Sequence, residues 1–324
     1  MIRVERALPL PCPVVAVGGA TLGGSGKTPL AIACTRELAL AGNRTALVGH
    51  AYRAAPVRPR FVQAGDGLDE VGDEALVAAR ALDGLSAAHV AVAPRRAAAM
   101  AFAARWAAVL VLDGVAQTRP ARATLALLAV DAEDPWGAAG DLHALDRLRL
   151  GSMRQAPTAT LVGACDAVVP MLEATPLGRV DPTLARRAVA RFATLGRPVW
   201  PAHVLSRGAW VGGSLLTWGA LRARRVGLIT AVARPDRIVR SLEKCGVVPV
   251  VVLSARDHGP VGRRVGRLAK AITVARQVDV WVATPKCALH AAAGLPAGEP
   301  LALLDHTVVL AAELRAKLHA LAAP

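Results

Sequence analysis

The sequence predicts an α/β protein, a P-loop NTPase-like parallel sheet flanked by helices, with a second, smaller α/β domain after it. Three observations carry the prediction. Apolar runs of strand length alternate with longer stretches of helical periodicity, the pattern of parallel strands joined by crossing helices. The stretch Thr21-Leu22-Gly23-Gly24-Ser25-Gly26-Lys27-Thr28-Pro29 sets a glycine turn between the first strand and the first helix. At 324 residues the chain is long for one core, and a glycine-rich passage about 203–221 places the boundary between domains 1–205 and 206–324.

Val14 to Val17 reads as a buried strand because all four residues are apolar, and Pro29 to Ala41 as a helix closed by Gly42. Thr45 to Val48 is the next strand. Asp69 to Leu82 reads as a helix, with Asp73 and Glu74 near its start, where the helix dipole favours carboxylates. A strand at His89 to Ala93, the turn Pro94-Arg95-Arg96 and a helix over Ala97 to Trp106 lead to a strand at Ala108 to Leu112, which delivers Asp113-Gly114. Leu125 to Val130 and Ala167 to Val169 extend the sheet, and Pro182 to Leu195 is a further helix. The second domain repeats the alternation: strands at Val226 to Thr230, Val247 to Leu253 and Val278 to Ala283, and helices at Pro235 to Lys244, Gly262 to Ala275 and Val308 to Leu321.

Composition narrows the function. Apolar residues make up 54% of the chain but aromatics only 3%, so the core is built from Ala, Val and Leu. The most apolar stretch, Ala97 to Val115, is interrupted by Arg105 and Asp113 and is too short to span a bilayer. Met1 to Arg6 lacks the apolar region of a signal peptide, which predicts a cytoplasmic protein. Five scattered cysteines exclude a disulfide framework and a zinc site. A net charge of +15 suits anionic partners, phosphorylated ligands or lipid headgroups, and equally a solvated arginine-rich surface, between which composition does not choose; so few aromatic rings leave little to stack nucleic acid on.

The glycine stretch carries the chemistry. Gly23, Gly24, Ser25 and Gly26 let backbone N–H groups close on phosphate oxygens, and the helix N-terminus adds partial positive charge. Lys27 is placed to reach the outer phosphates, and the Thr28 hydroxyl to ligate Mg²⁺. Thr21 stands where the general P-loop pattern has glycine. An apolar strand ending in Asp113 is the arrangement expected of the carboxylate that completes the metal site. ATP and Mg²⁺ are therefore the expected ligands.

With these motifs placed, the chain resembles the tetraacyldisaccharide 4'-kinase family over nearly its whole length. That family phosphorylates a lipid A precursor with ATP. Val17-Gly18-Gly19-Ala20-Thr21-Leu22-Gly23-Gly24-Ser25-Gly26-Lys27-Thr28-Pro29 is similar to its V-G-N-x-T-x-G-G-T-G-K-T-P, Thr21 included. Val71-Gly72-Asp73-Glu74 resembles V-G-D-E, Asp113-Gly114 falls on D-D-G, and Pro235-Asp236-Arg237 on N-P-E-R. Asp257-His258 matches a D-H pair, Thr284-Pro285-Lys286-Cys287-Ala288 is similar to T-E-K-D-A, and Arg154 sits at the arginine of L-R-E. The resemblance implies that His258, oriented by Asp257, deprotonates the acceptor hydroxyl, and that Arg154 with Arg95 and Arg96 binds the substrate's existing phosphate; a solvated basic face accounts for these arginines equally well.

The chain also departs from the pattern. Arg95 occupies the place of an aspartate in P-D-R that the resemblance implies as the histidine's partner, and an arginine cannot serve as a base at neutral pH. Leu112 replaces the first aspartate of D-D-G, and Gly19 an asparagine. The expectation is a kinase for the 4'-hydroxyl of a tetraacyldisaccharide 1-phosphate, slowed at its acceptor side. It would meet an anionic glycolipid at the cytoplasmic face of the inner membrane, peripherally, without an obligate protein partner. An ATP-binding paralogue with a regulatory or scaffolding role is the alternative, and a kinase for a soluble phosphorylated sugar is a third.

Overall fold

A computed structural model describes residues 10–21, 23–51, 54–114, 123–136, 158–173, 179, 181–232, 235–255, 263–291 and 301–322. The strands of the first half are β1 (Val14–Gly19), β2 (Thr45–Val48), β3 (Arg60–Phe61), β4 (Ala88–Val92), β5 (Val109–Asp113), β6 (Leu125–Asp131), β7 (Ala167–Glu173) and β8 (Ala202–Leu205). Then come β9 (Gly208–Val211), β10 (Ser214–Thr217), β11 (Val226–Thr230), β12 (Val251–Ser254), β13 (Val280–Ala283), β14 (Leu301–Leu304) and β15 (Thr307–Leu310). The helices of the first half are α1 (Lys27–Leu40), α2 (Leu68–Val71), α3 (Asp73–Leu82), α4 (Arg96–Ala103), α5 (Thr158–Gly163) and α6 (Pro182–Phe192). The second half adds α7 (Trp218–Arg222), α8 (Pro235–Lys244), α9 (Arg263–Val274), α10 (Pro285–Ala291) and α11 (Ala312–Ala322).

Two sheets result. The larger runs β15-β8-β7-β6-β1-β5-β2-β4-β3, and the smaller β10-β9-β14-β13-β11-β12. From β8 to β4 the larger sheet is parallel, with antiparallel strands only at its edges. Parallel strands covered on both faces should be apolar throughout, and β1, β2, β5 and β6 are buried along their whole length. One cluster, with Leu30, Leu38, Leu47, Leu76 and Leu127, packs α1, α3 and α11 on one face. A second, rich in alanine, packs α4 on the other. This is the mixed α/β architecture the alternation predicts.

Two elements differ from expectation, and with them the path of the chain. The helix expected over Asp69 to Leu82 is two helices, because Gly72 takes a φ of +85° between them. The final helix begins at Ala312, not Val308: Thr307-Val308-Val309-Leu310 forms β15, as three successive residues of which all are β-branched favour a strand. That strand pairs with β8 and α11 packs against α1, so the chain re-enters the first sheet after β14. The second sheet is therefore built from residues between 208 and 304, joined to the first by two crossings, Ser206-Arg207 and Asp305-His306.

Candidate active site

β1 lies between β5 and β6, while the chain leaving it through α1 crosses over β5 to reach β2. That reversal of direction opens a crevice at the carboxyl ends of the strands, where open α/β sheets bind ligands. The glycine loop fills the turn out of β1. Gly24 and Gly26 have φ of +78° and +82°, and a Cβ on Gly26 would stand 2.7 Å from Met171 Cγ. Gly19, where the resemblance expects asparagine, has the same kind of reason: its Cβ would fall 2.1 Å from Ser25 Oγ. Thr21 Oγ1 donates to the Gly23 carbonyl at 2.6 Å and holds the turn shut at its base. Among the described residues no side chain caps α1, and no acid lies in its first turn, so its N-terminus suits an anion.

Asp113 ends β5, in register with Val17 of β1, and is 2% exposed. Thr28 hydrogen-bonds its carboxylate, while Oδ1 is buried without a hydrogen-bond partner among the described residues. Burial, then the charge of Glu74, pushes the Asp113 carboxyl up to about 6, against the pull of Lys27, Thr28 and Arg96. Gly114 gathers the cations: a Cβ there would meet Arg96 Nη2 at 3.7 Å and Lys27 Cε at 3.9 Å. A buried carboxylate oxygen with unused lone pairs, beside a threonine hydroxyl, is a donor set that suits Mg²⁺, which takes one or two protein oxygens and completes its shell from water and phosphate.

A second group of charges adjoins this one. Asp73 is buried at the start of α3, its Oδ1 accepting from the Glu74 N–H at 2.8 Å. Its Oδ2 meets His290 Nε2 at 2.9 Å and Lys286 Nζ at 3.8 Å, both from α10. Lys286 also lies 3.7 Å from Glu74. The V-G-D-E and T-P-K stretches thus meet in space, and the crevice holds carboxylates 73, 74 and 113 against cations 27, 96 and 286. Such an array can hold a divalent cation and a polyphosphate together.

The structure therefore gathers Thr21, Gly23, Gly24, Ser25, Gly26, Lys27, Thr28 and Asp113 around one loop. Arg96 joins them, whereas Arg95 is exposed at the N-cap of α4. Leu112 packs in the alanine-rich core with Val14, Ala46 and Val48. Arg154, Asp257 and His258 lie outside the described residues. Sequence reasoning missed His290, and it missed Asp131 and Glu173, which end β6 and β7 on the same rim. For the two acids the signal was present, since each closes an apolar strand as Asp113 does; His290 lies within α10 and has no such signal.

The sequence profile of the tetraacyldisaccharide-1-P 4'-kinase family matches residues 2–322. This chain belongs to that family. A tetraacyldisaccharide 4'-kinase of Anaeromyxobacter dehalogenans (strain 2CP-1 / ATCC BAA-258) is 35% identical over 259 residues, covering 76% of this chain and 63% of that protein. A second, from Methylobacterium sp. (strain 4-46), is 31% identical over 319 residues, 97% of this chain and 86% of its own length. The chain thus spans just under two thirds of the Anaeromyxobacter relative. Among solved structures, the "apo" form of LpxK from Aquifex aeolicus in complex with ATP superposes with a TM-score of 0.65 at 18% identity, covering 98% of this chain and 91% of that one. At that identity the likeness speaks for the fold alone.

Proposed function

We propose that this chain is an ATP-dependent kinase that phosphorylates the 4'-hydroxyl of a tetraacyldisaccharide 1-phosphate. One observation carries the reading: the buried Asp113 Oδ1, without a hydrogen-bond partner among the described residues, stands beside Thr28 and within the field of Lys27, at the mouth of a glycine loop. Family membership supplies the acceptor.

In this reading Gly23, Gly24, Ser25, Gly26 and Lys27 hold the triphosphate of ATP, and Thr28 and Asp113 hold Mg²⁺. The metal, when bound, neutralises charge that develops on the transferred phosphoryl group. The protein's own work is positioning and electrostatics. Lys27 and Arg96 are partly buried cations, and a charge drawn out of water acts more strongly than in bulk solvent. Lys286 offsets Glu74 and Asp73, which would otherwise repel the phosphates. His258, oriented by Asp257, takes the acceptor proton, and Arg154 binds the existing phosphate.

Among the described residues no helix is long and apolar enough to cross a membrane. We place the protein at the cytoplasmic face of the inner membrane, held there by its glycolipid substrate. The test is transfer of radiolabelled phosphate from ATP to detergent-dispersed tetraacyldisaccharide 1-phosphate. Product formation that disappears in Lys27→Ala supports the kinase; tight Mg²⁺-ATP binding without product would instead favour the non-catalytic paralogue. If Arg95 slows the reaction, Arg95→Asp raises the rate.

A further inference from the structure

Pro235-Asp236-Arg237 has no part in the chemistry above, yet its arginine reaches the glycine loop from the other sheet. Arg237 lies in the first turn of α8, the helix that follows β11. Its Nη1 donates to the Gly24 carbonyl. Its Nε stands 3.2 Å from Asp131 Oδ2 and 3.5 Å from Glu173 Oε1. These two carboxylates end the adjacent strands β6 and β7, and all three side chains are mostly buried, Arg237 at 19% exposure. We propose that Arg237 is a positioning residue for the nucleotide loop, a guanidinium that the second sheet supplies to the first. The inference rests on the reading that this loop holds ATP.

The physical case begins with the peptide plane. The C=O of Gly24 and the N–H of Ser25 belong to one rigid unit and point in opposite directions. Holding the carbonyl on Arg237 therefore fixes where the Ser25 N–H aims, and that N–H is one of the donors a phosphate cradle needs. Gly24 has a φ of +78° and no side chain, so nothing in the residue itself restrains this plane. Asp131 in turn is fixed: its Oδ1 accepts from the N–H groups of Glu133 at 2.9 Å and Asp134 at 3.3 Å, leaving Oδ2 for the guanidinium.

Arginine suits the position because a planar fork can serve a carboxylate with one N–H and a carbonyl with another at fixed angles, whereas an ammonium is a single point. Lys244, seven residues on and on the same helix face, salt-bridges Glu173 and Glu133. It is 42% exposed and makes no contact with the loop among those described, so it serves as the control.

The experiment measures Mg²⁺-ATP affinity of the full chain by calorimetry, without acceptor, for the wild type, Arg237→Lys, Arg237→Ala and Lys244→Ala. Thermal midpoints of the nucleotide-free proteins are read alongside. Arg237→Lys keeps the charge between Asp131 and Glu173 but loses the fork; its Kd should rise about tenfold and that of Arg237→Ala up to about a hundredfold, the equilibrium equivalent of one charge-assisted hydrogen bond. Affinity for AMP, which lacks the outer phosphates, should change less than affinity for ATP. Lys244→Ala should bind like the wild type. A Kd for Arg237→Lys within twofold of the wild type, at an unchanged midpoint, overturns the inference and leaves the kinase reading intact. If Arg237→Ala does not fold, Asp131→Asn, which weakens the hold on the same guanidinium, gives the second measurement, and an unchanged Kd there also overturns it. A wild-type chain that binds no Mg²⁺-ATP overturns both.

Discussion

Two buried aspartates, one at the glycine loop and one at the joint between the sheets, sit in opposite chemical circumstances. Asp305, on the crossing from β14 to β15, accepts from Arg207 Nε at 2.9 Å through Oδ2 and from Trp210 Nε1 at 3.1 Å through Oδ1. Burial alone would push its carboxyl up, and the hydrogen bonds from Arg207 and Trp210 more than reverse this, holding it below the usual range. Asp113 is more deeply buried, keeps one oxygen unpartnered among the described residues, and is pushed up to about 6. A carboxylate whose lone pairs are all used ties two strands together. One left short of partners costs stability, and the chain tolerates that where a ligand completes the set.

The contrast is sharpened first at the loop. Lys27→Ala should lower the rate of phosphate transfer by about 10²–10³-fold or more, the usual effect of removing one fixed group that stabilises developing charge. Its thermal midpoint should fall somewhat, because the buried Asp113 carboxylate loses a cation that favours its charged form. Asp113→Asn should lower the rate by at least the ~10–100-fold that loss of a group merely supporting a metal ligand costs. It should also raise the midpoint of the nucleotide-free protein by about 2–4 °C, because an uncharged amide escapes the cost of burying charge beside Glu74. Loss of activity together with a gain in stability is the mark of a functional group. A midpoint that falls in Asp113→Asn would make Asp113 a structural residue like Asp305 and break the comparison.

How much of this was legible in the sequence follows the same division. The loop, α1 and Asp113 could be read because their signals are local: glycines where backbone must turn, a lysine and a threonine at the helix start, an acid at the end of an apolar run. The larger sheet followed from alternation. What could not be read depends on contacts far apart in the chain. Asp73 meets His290 across 217 positions, and nothing in either segment names the other. Arg237 reaches Gly24 across 213, and its motif shows only a helix start. Val308 to Leu310 read as the start of a helix because they are apolar and precede a true helical pattern, and the pairing with β8 decides their state. Asp131 and Glu173 carried the same local signal as Asp113 and went unread for want of a partner motif.

At the joint, Asp305→Ala should destabilise the protein by about 2 kcal/mol. The change leaves the Trp210 indole N–H and the Arg207 guanidinium without their acceptor; Arg207 is 60% exposed, so water takes over part of its share. Chemical denaturation measures the loss. Mg²⁺-ATP affinity should remain within twofold, since the loop keeps its own contacts. A large loss of affinity would mean that the joint and the loop are one system.

The smallest effect is expected at Lys244, which lies on the same helix as Arg237 and faces the same row of acids. Burial alone would lower its pKa, and hydrogen bonds to Glu133 and Glu173 raise it instead. Geometry alone would therefore rank it with Arg237. Exposure separates them: Lys244 is 42% and Glu133 59% exposed, against 19% for Arg237 and 8% for Asp131. An ion pair open to water is screened and must hold a long side chain in place, so Lys244→Ala should cost about 0.5 kcal/mol or less. Denaturation at low and high salt checks this, because whatever the pair contributes should fade as ionic strength rises. A salt-insensitive loss of several times that size would place Lys244 among the fixed groups, and the carboxylate row would then act as a single joint along the whole of α8.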